Sequence, residues 1–157
     1  MRVIFLDIDG VLNCANEADT ARGLVRPRPD LIALLDDLID RTGAQIVLAS
    51  TWRCDPKAVE VARRCGLKFI DTLEDHENGE RGAFIRKWLT EHPEVESYVV
   101  VDDHASEHAG LPLFKCKTDV GLTPELVEEI VDYFEGAARP RKSACAAASA
   151  GAGIAEA

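Results

Sequence analysis

Short, largely apolar runs that stop at polar residues, each parted from the next by a stretch with helical spacing, constrain this chain most. The runs are Val3–Leu6, Ile46–Ala49, Lys68–Ile70, Tyr98–Val101 and Leu113–Lys117. Runs this short, bounded by turn signals, read as strands buried in a sheet. Between the first two, Leu31, Leu34, Leu35, Leu38 and Ile39 repeat at helical spacing and end at Gly43. Asp55–Pro56 is a cap followed by proline at a first helical position, and that helix ends near Gly66. Phe84, Ile85, Trp88 and Leu89 share one side of a third helix. Thr123 and Pro124 open the last, with Leu126, Ile130 and Phe134 along its stripe and Gly136 beyond its end. Alternation of this kind predicts an α/β fold: a parallel sheet between helices on both faces, joined by right-handed crossovers.

The chain has 157 residues, enough for one domain with its own core. That domain is expected over residues 1–136. From Ala137 the sequence turns to Ala, Gly and Ser with few large apolar residues, which reads as a low-complexity, disordered tail over 137–157. Its Arg139, Arg141 and Lys142 read as solvated charges. A net charge of -10 argues against a protein that coats polyanions, because such binding rests on many Lys/Arg–phosphate contacts. No apolar run approaches a membrane span, and "MRVIFLD" meets Asp7 too early for the apolar region of a secretory leader. Cys14, Cys54, Cys65, Cys116 and Cys145 are odd in number and form no CxxC pair. Reduced thiols in a cytoplasm are the simplest reading.

Ligands of open parallel sheets sit beyond the carboxyl ends of the strands. Asp7 and Asp9 stand after the first strand, Ser50 and Thr51 after the second, Asp102 and Asp103 after the fourth. Arg81 opens the helix that leads into the fourth. Carboxylates gathered at that density repel one another unless a cation is held among them. A hard divalent ion such as Mg²⁺ takes oxygen ligands of this type and shares its shell with a phosphate. One carboxylate can then attack phosphorus.

"DIDGVLN", "IVLAS", "RG" at a helix start and "VVVDD" occur in that order across residues 3 to 103. Together they resemble the haloacid dehalogenase (HAD) phosphatase superfamily. The wording "LDIDGVLN", "STWR", "RGAFIRKWL" and "VVVDDH" is most similar to the HAD domains of Swiss Army Knife RNA-repair proteins. The resemblance implies a Rossmann-like fold, three layers, Mg²⁺ as cofactor and a phosphomonoester substrate. It implies Asp7 as nucleophile and Asp9 as acid and base, with the Asp9 backbone carbonyl also on the metal. Ser50 matches the hydroxyl of the second motif, with Thr51 as the alternative. Arg81 stands where the superfamily more often has lysine, with Arg53 and Lys57 as alternative cations. Asp103 matches the metal-binding acid of the fourth motif, with Asp102 beside it. Gly10, Thr51 and Arg53 are expected to face the substrate. Asp9 favours phosphate esters, since dehalogenating branches lack an aspartate there.

Residues 14–29 end in Arg26-Pro27-Arg28-Pro29, which cannot be helix interior. They are too short for a separate cap domain, so a loop or flap over an open site is expected. In the resembled superfamily an open site goes with large substrates, such as nucleic acid ends. Arg26 and Arg28 are candidate contacts from that flap. Trp52 reads either as a stacking platform for a base or as packing beneath a loop. His104 and His108 stand at helical spacing beside two aspartates, which a transition-metal site could use, but they read first as solvated residues following the fourth motif. A different class of function, a non-hydrolysing module that binds phosphate or nucleic acid ends, shares most of these features. A phospho-acceptor receiver needs its reactive aspartate after the third strand, and here the acids follow the first and fourth.

Overall fold

A computed structural model of the chain describes residues 1–74 and 80–138. Five parallel strands form one sheet in the order β3-β2-β1-β4-β5. They are β1 (Arg2–Leu6), β2 (Gln45–Leu48), β3 (Asp71–Thr72), β4 (Ser97–Asp102) and β5 (Leu113–Lys115). The helices are α1 (Glu17–Thr20), α2 (Pro29–Thr42), α3 (Pro56–Arg64), α4 (Arg81–Glu91) and α5 (Pro124–Ala138), with a 3₁₀ turn at Thr51–Cys54.

Side chains alternate across the sheet, as strand geometry requires. Ile4, Leu6, Ile46, Leu48, Val99 and Val101 pack with α2, α3 and α5 on one face. Val3, Phe5, Val47 and Val100 pack with Phe84, Ile85 and Trp88 of α4 on the other. The expected three-layer architecture is therefore present. The helix ends follow local chemistry: Gly43 closes α2 at φ 64, Asp55 caps α3 through Lys57 N–H, and the Thr123 hydroxyl accepts from Leu126 N–H.

Register sets the site. Leu6 lies level with Leu48 on one side and Val101 on the other. The next residue, Asp7, donates its backbone N–H to Val101 O at 3.0 Å, and Ala49 donates to Leu6 O at 2.8 Å. The ends of β1, β2 and β4 thus form one rim. From β1 the chain crosses to β2 on the α2 face, whereas α4 brings it to β4 on the opposite face. The space between β1 and β4 is the topological switch point where such sheets bind ligands.

Some boundaries differ from expectation. The third strand is Asp71–Thr72, not Lys68–Ile70. Leu67 and Phe69 turn into the core, the Arg63 guanidinium lies 4.0 Å over the Phe69 ring, and Ile70 is exposed. Those side chains settle the segment before it pairs with β2. The fifth strand stops at Lys115, because Lys117 instead bridges Gly121 across a tight loop. Residues 14–29 carry α1, capped reciprocally by Asn16 and Asp19. The last helix runs through Ala138, two residues past the expected domain boundary, so Gly136 lies within it and not beyond its end. Residues 75–79 of the acidic loop and the expected tail from 139 onward, with its basic cluster and Cys145, lie outside the described residues.

Candidate active site

Asp7, Asp102 and Asp103 are all buried at the rim, each offering a carboxylate oxygen within 4.8 Å of the others. Asp7 Oδ1 accepts from Ile8 N–H at 2.7 Å, and Asp7 Oδ2 accepts from Arg81 Nη1 at 2.9 Å. Burial pushes the Asp7 carboxyl up to about 6, against the pull of Arg81; Asp102 adds to the rise, while the Ser50 hydroxyl and Ile8 N–H oppose it. Asp102 shows the other outcome. Burial raises it too, but the hydrogen bond from His108 and the charge of Arg81 outweigh burial and hold it below its usual value.

Arg81 is the first residue of α4, and its side chain is only 12% exposed. A single nitrogen, Nη1, reaches both Asp7 Oδ2 at 2.9 Å and Asp102 Oδ2 at 2.5 Å. Burial lowers its pKa, but Asp7 and Asp102 more than offset that, and the group is held above its ordinary value. The next residue explains the "RG" pair. Gly82 N–H donates to Glu107 O at 3.0 Å, and a Cβ at Gly82 would collide with that carbonyl. The missing side chain lets the 103–111 loop dock on the start of α4.

That loop delivers His108, which sequence reasoning placed in solvent. It is 2% exposed, and its Nε2 lies 2.8 Å from Asp102 Oδ2. His104 N–H donates to Asp102 Oδ1 at 2.8 Å. Both Asp102 oxygens are therefore engaged within the protein. The loop is not helical, so the apparent helical spacing of the two histidines carried no signal. Thr118 was also missed. Its hydroxyl donates to Asp103 Oδ2 at 2.6 Å from the loop after β5, a contact that exists only once the sheet has formed.

Asp9 is held from two sides. Asn13 Nδ2 donates to Oδ1 at 2.8 Å, and the Trp52 indole Nε1–H donates to Oδ2 at 2.9 Å. Trp52 is 3% exposed, so it packs beneath the site and offers no stacking face. Asn13, fully buried, also accepts from Gly10 N–H and Ala15 N–H and donates to Val25 O. Gly10 has φ 73, and a Cβ there would overlap the Asp103 carboxylate. Only glycine lets the turn after β1 approach the end of β4 so closely.

A cleft of about 390 Å³ opens over these groups. Asp7, Asp9, Arg81 and Asp103 line it together with Thr51, His104 and Thr118, and Asn16, Glu17 and Thr20 of the flap contribute to its wall. Of the two candidate hydroxyls, Thr51 lines the cleft, whereas Ser50 is wholly buried beside Asp7 and caps the 3₁₀ turn through Trp52 N–H. Arg53 is not brought to the cleft: its guanidinium donates to the carbonyls of Ala49, Ser50 and Leu73. Lys57 does not line it either. Arg28 is engaged with Asp30 and the Cys14 sulfur.

The donor set fits a hard divalent cation. It is all oxygen, Asp7 and Asp103 line the cleft, and each offers an oxygen within 4.8 Å of the other. The Arg81 guanidinium is shared by Asp7, Asp102 and Glu107, and Asp9 and Asp103 also line the cleft, so a further positive charge would relieve the burial cost that raises Asp7. Among the described residues, no helix is long and apolar enough to cross a membrane.

No curated protein and no solved structure matches the chain. A family model matches residues 3–127, from the first strand into the last helix. On that match the chain belongs to the family described as the HAD domain in Swiss Army Knife RNA repair proteins.

Proposed function

We propose that the chain is a Mg²⁺-dependent phosphohydrolase that carries the phosphoryl group on Asp7. The convergence of the buried Asp7, Asp102 and Asp103 beside Arg81 carries this reading. Asp7 and Asp103, with the Asp9 backbone carbonyl, would hold the metal. The cation would shield the carboxylates from the incoming phosphate and neutralise its oxygens.

The chain's own groups supply the rest. An Asp7 oxygen attacks phosphorus as the ester P–O bond breaks. Asp9 gives its proton to the departing oxygen, which leaves as an alcohol. Asp9, now a carboxylate, takes a proton from water as that water attacks the phosphorus on Asp7. The Asp7–phosphorus bond breaks, inorganic phosphate leaves and both aspartates return to their starting states. Arg81 orients Asp7 and offsets charge on the transferring group. Thr51 stands where a hydroxyl can donate to a phosphoryl oxygen. Ser50 steadies Asp7 from below.

The substrate read here is the phosphomonoester at a nucleic acid end. RNA repair in the family's name supports this, as does the short flap, which leaves the cleft open to a large molecule. The net charge of -10 limits the footprint to the end of the strand. Phosphate release from a panel of 3′- and 5′-phosphorylated oligonucleotides, mononucleotides, sugar phosphates and phosphopeptides tests the reading. Turnover should need Mg²⁺, stop with EDTA and favour an oligonucleotide. Binding of phosphorylated ends with no release from any ester would instead support the non-hydrolysing module.

A further inference from the structure

We infer that Trp52 is a positioning residue for proton transfer, its indole N–H holding Asp9 in the orientation from which Asp9 serves the leaving group. The inference rests on the role proposed for Asp9. Buried tryptophans commonly find a partner for the indole N–H, and Trp88 does so with Asp71 Oδ2 at 2.7 Å. Trp52 differs in where its partner stands. Asp9 lines the cleft, whereas Asp71 does not.

The "STWR" segment is organised around this contact. The Ser50 hydroxyl caps the 3₁₀ turn by accepting from Trp52 N–H at 3.4 Å. Arg53 ties the same turn to Ala49 O, Ser50 O and Leu73 O. Trp52 cannot swing freely, because it is 3% exposed and belongs to the core on the α2, α3 and α5 face of the sheet. Its N–H reaches one Asp9 oxygen while Asn13 holds the other. A carboxylate offers about four lone-pair positions. Two N–H donors fix the plane of the group and leave positions for a proton aimed at the cleft. In an open site, water would otherwise let Asp9 rotate among orientations that do not face the ester oxygen.

The balance of the step supplies the test. Breaking the ester bond of an aliphatic phosphate leaves a strongly basic alkoxide, which needs the Asp9 proton. A p-nitrophenolate leaves without it. kcat/KM reports the steps through leaving-group departure and is blind to later hydrolysis of the Asp7 phosphate. Trp52→Phe keeps a buried ring and removes the donor; the smaller ring also leaves a cavity in the core, a loss that falls on both esters alike. With Mg²⁺, its kcat/KM should fall roughly 10- to 100-fold for the aliphatic phosphomonoester the wild type hydrolyses fastest. For p-nitrophenyl phosphate the fall should stay below about 3-fold, since general acid catalysis adds little there. Equal falls for the two esters, or none for either, would overturn the inference.

Asn13→Ala is a poorer probe, because it also strips acceptors from two backbone N–H groups. An independent readout is the indole N–H resonance. Asp9→Ala should move the Trp52 signal and leave that of Trp88 in place; an unmoved Trp52 signal counts against the contact. Asp7→Asn separates the two levels. A wild type inactive on both esters with Mg²⁺ sinks the proposed function and this inference together. A wild type that turns over, with Asp7→Asn inactive and Trp52→Phe indifferent to the leaving group, sinks the inference alone.

Discussion

At the scale of single residues, Asp7 carries opposing influences that can be read separately. Its carboxyl stands at about 6 in the folded protein against 3.8 unfolded, chiefly through burial. Between those values the folded state binds the extra proton, so this residue makes stability fall as pH rises through that window. Asp7→Asn should therefore raise the stability of the metal-free protein above about pH 6, on the order of 1–3 kcal/mol, and leave it little changed below about pH 4. The same variant should lose turnover on the order of 10⁴-fold or more. Denaturant melts across pH, paired with phosphate release, check both. Arg81 reaches Asp7 and Asp102 through one nitrogen, a task an ammonium can also perform, while its Nε stands 3.6 Å from the half-exposed Glu107. Arg81→Lys should keep kcat within about 10-fold, whereas Arg81→Ala should lose about 10²- to 10³-fold. Asp7, Asp9 and Asp103 were legible because strand ends in a parallel sheet announce themselves. Asn13, Thr118 and His108 were not, because their roles are hydrogen bonds closed only by the finished fold.

At the scale of elements, the start of α4 and the 103–111 loop form one device. Gly82 would ordinarily gain about 1 kcal/mol on change to alanine, since glycine is a poor helix residue. Here the added carbon meets Glu107 O. Gly82→Ala is expected to destabilise by about 1–3 kcal/mol and to lower kcat, because the loop carries His108 and through it braces Asp102 and Arg81. Thermal melts with kinetics decide the sign. Helix limits were legible where a cap or a glycine stop marked them, as at Asp55, Thr123 and Gly43. The third strand was not. Its residues Asp71 and Thr72 have no apolar pattern, and pairing with β2 alone defines them. The "STWR" turn was legible as a motif, but the hydrogen bonds of Arg53 to the carbonyls of Ala49, Ser50 and Leu73 were not.

At the scale of the whole molecule, the fold brings residues from opposite ends of the sequence to one rim, and Asp7 meets Asp103 only through the β1–β4 pairing. A cation held there should stabilise the native state by linkage. Mg²⁺ at about 100 times its dissociation constant should add ~2.7 kcal/mol, and Asp103→Ala should abolish most of that gain. Calorimetry with and without EDTA reads it. The alternation of strands and helices, the three layers and the acidic rim were all legible in the sequence. The flap's short helix and the way the loops after β4 and β5 complete the cleft were not, because no periodic pattern encodes them. In the proposed reaction the phosphoryl group passes through Asp7. Acid-quenching the protein during Mg²⁺-dependent turnover of a phosphomonoester, then mapping peptides by mass, tests it most directly. A phosphoryl group on Asp7 that hydroxylamine removes, absent in Asp7→Asn, is the predicted result; turnover with Asp7 never phosphorylated, or persisting at the wild-type rate in Asp7→Asn, would contradict the account.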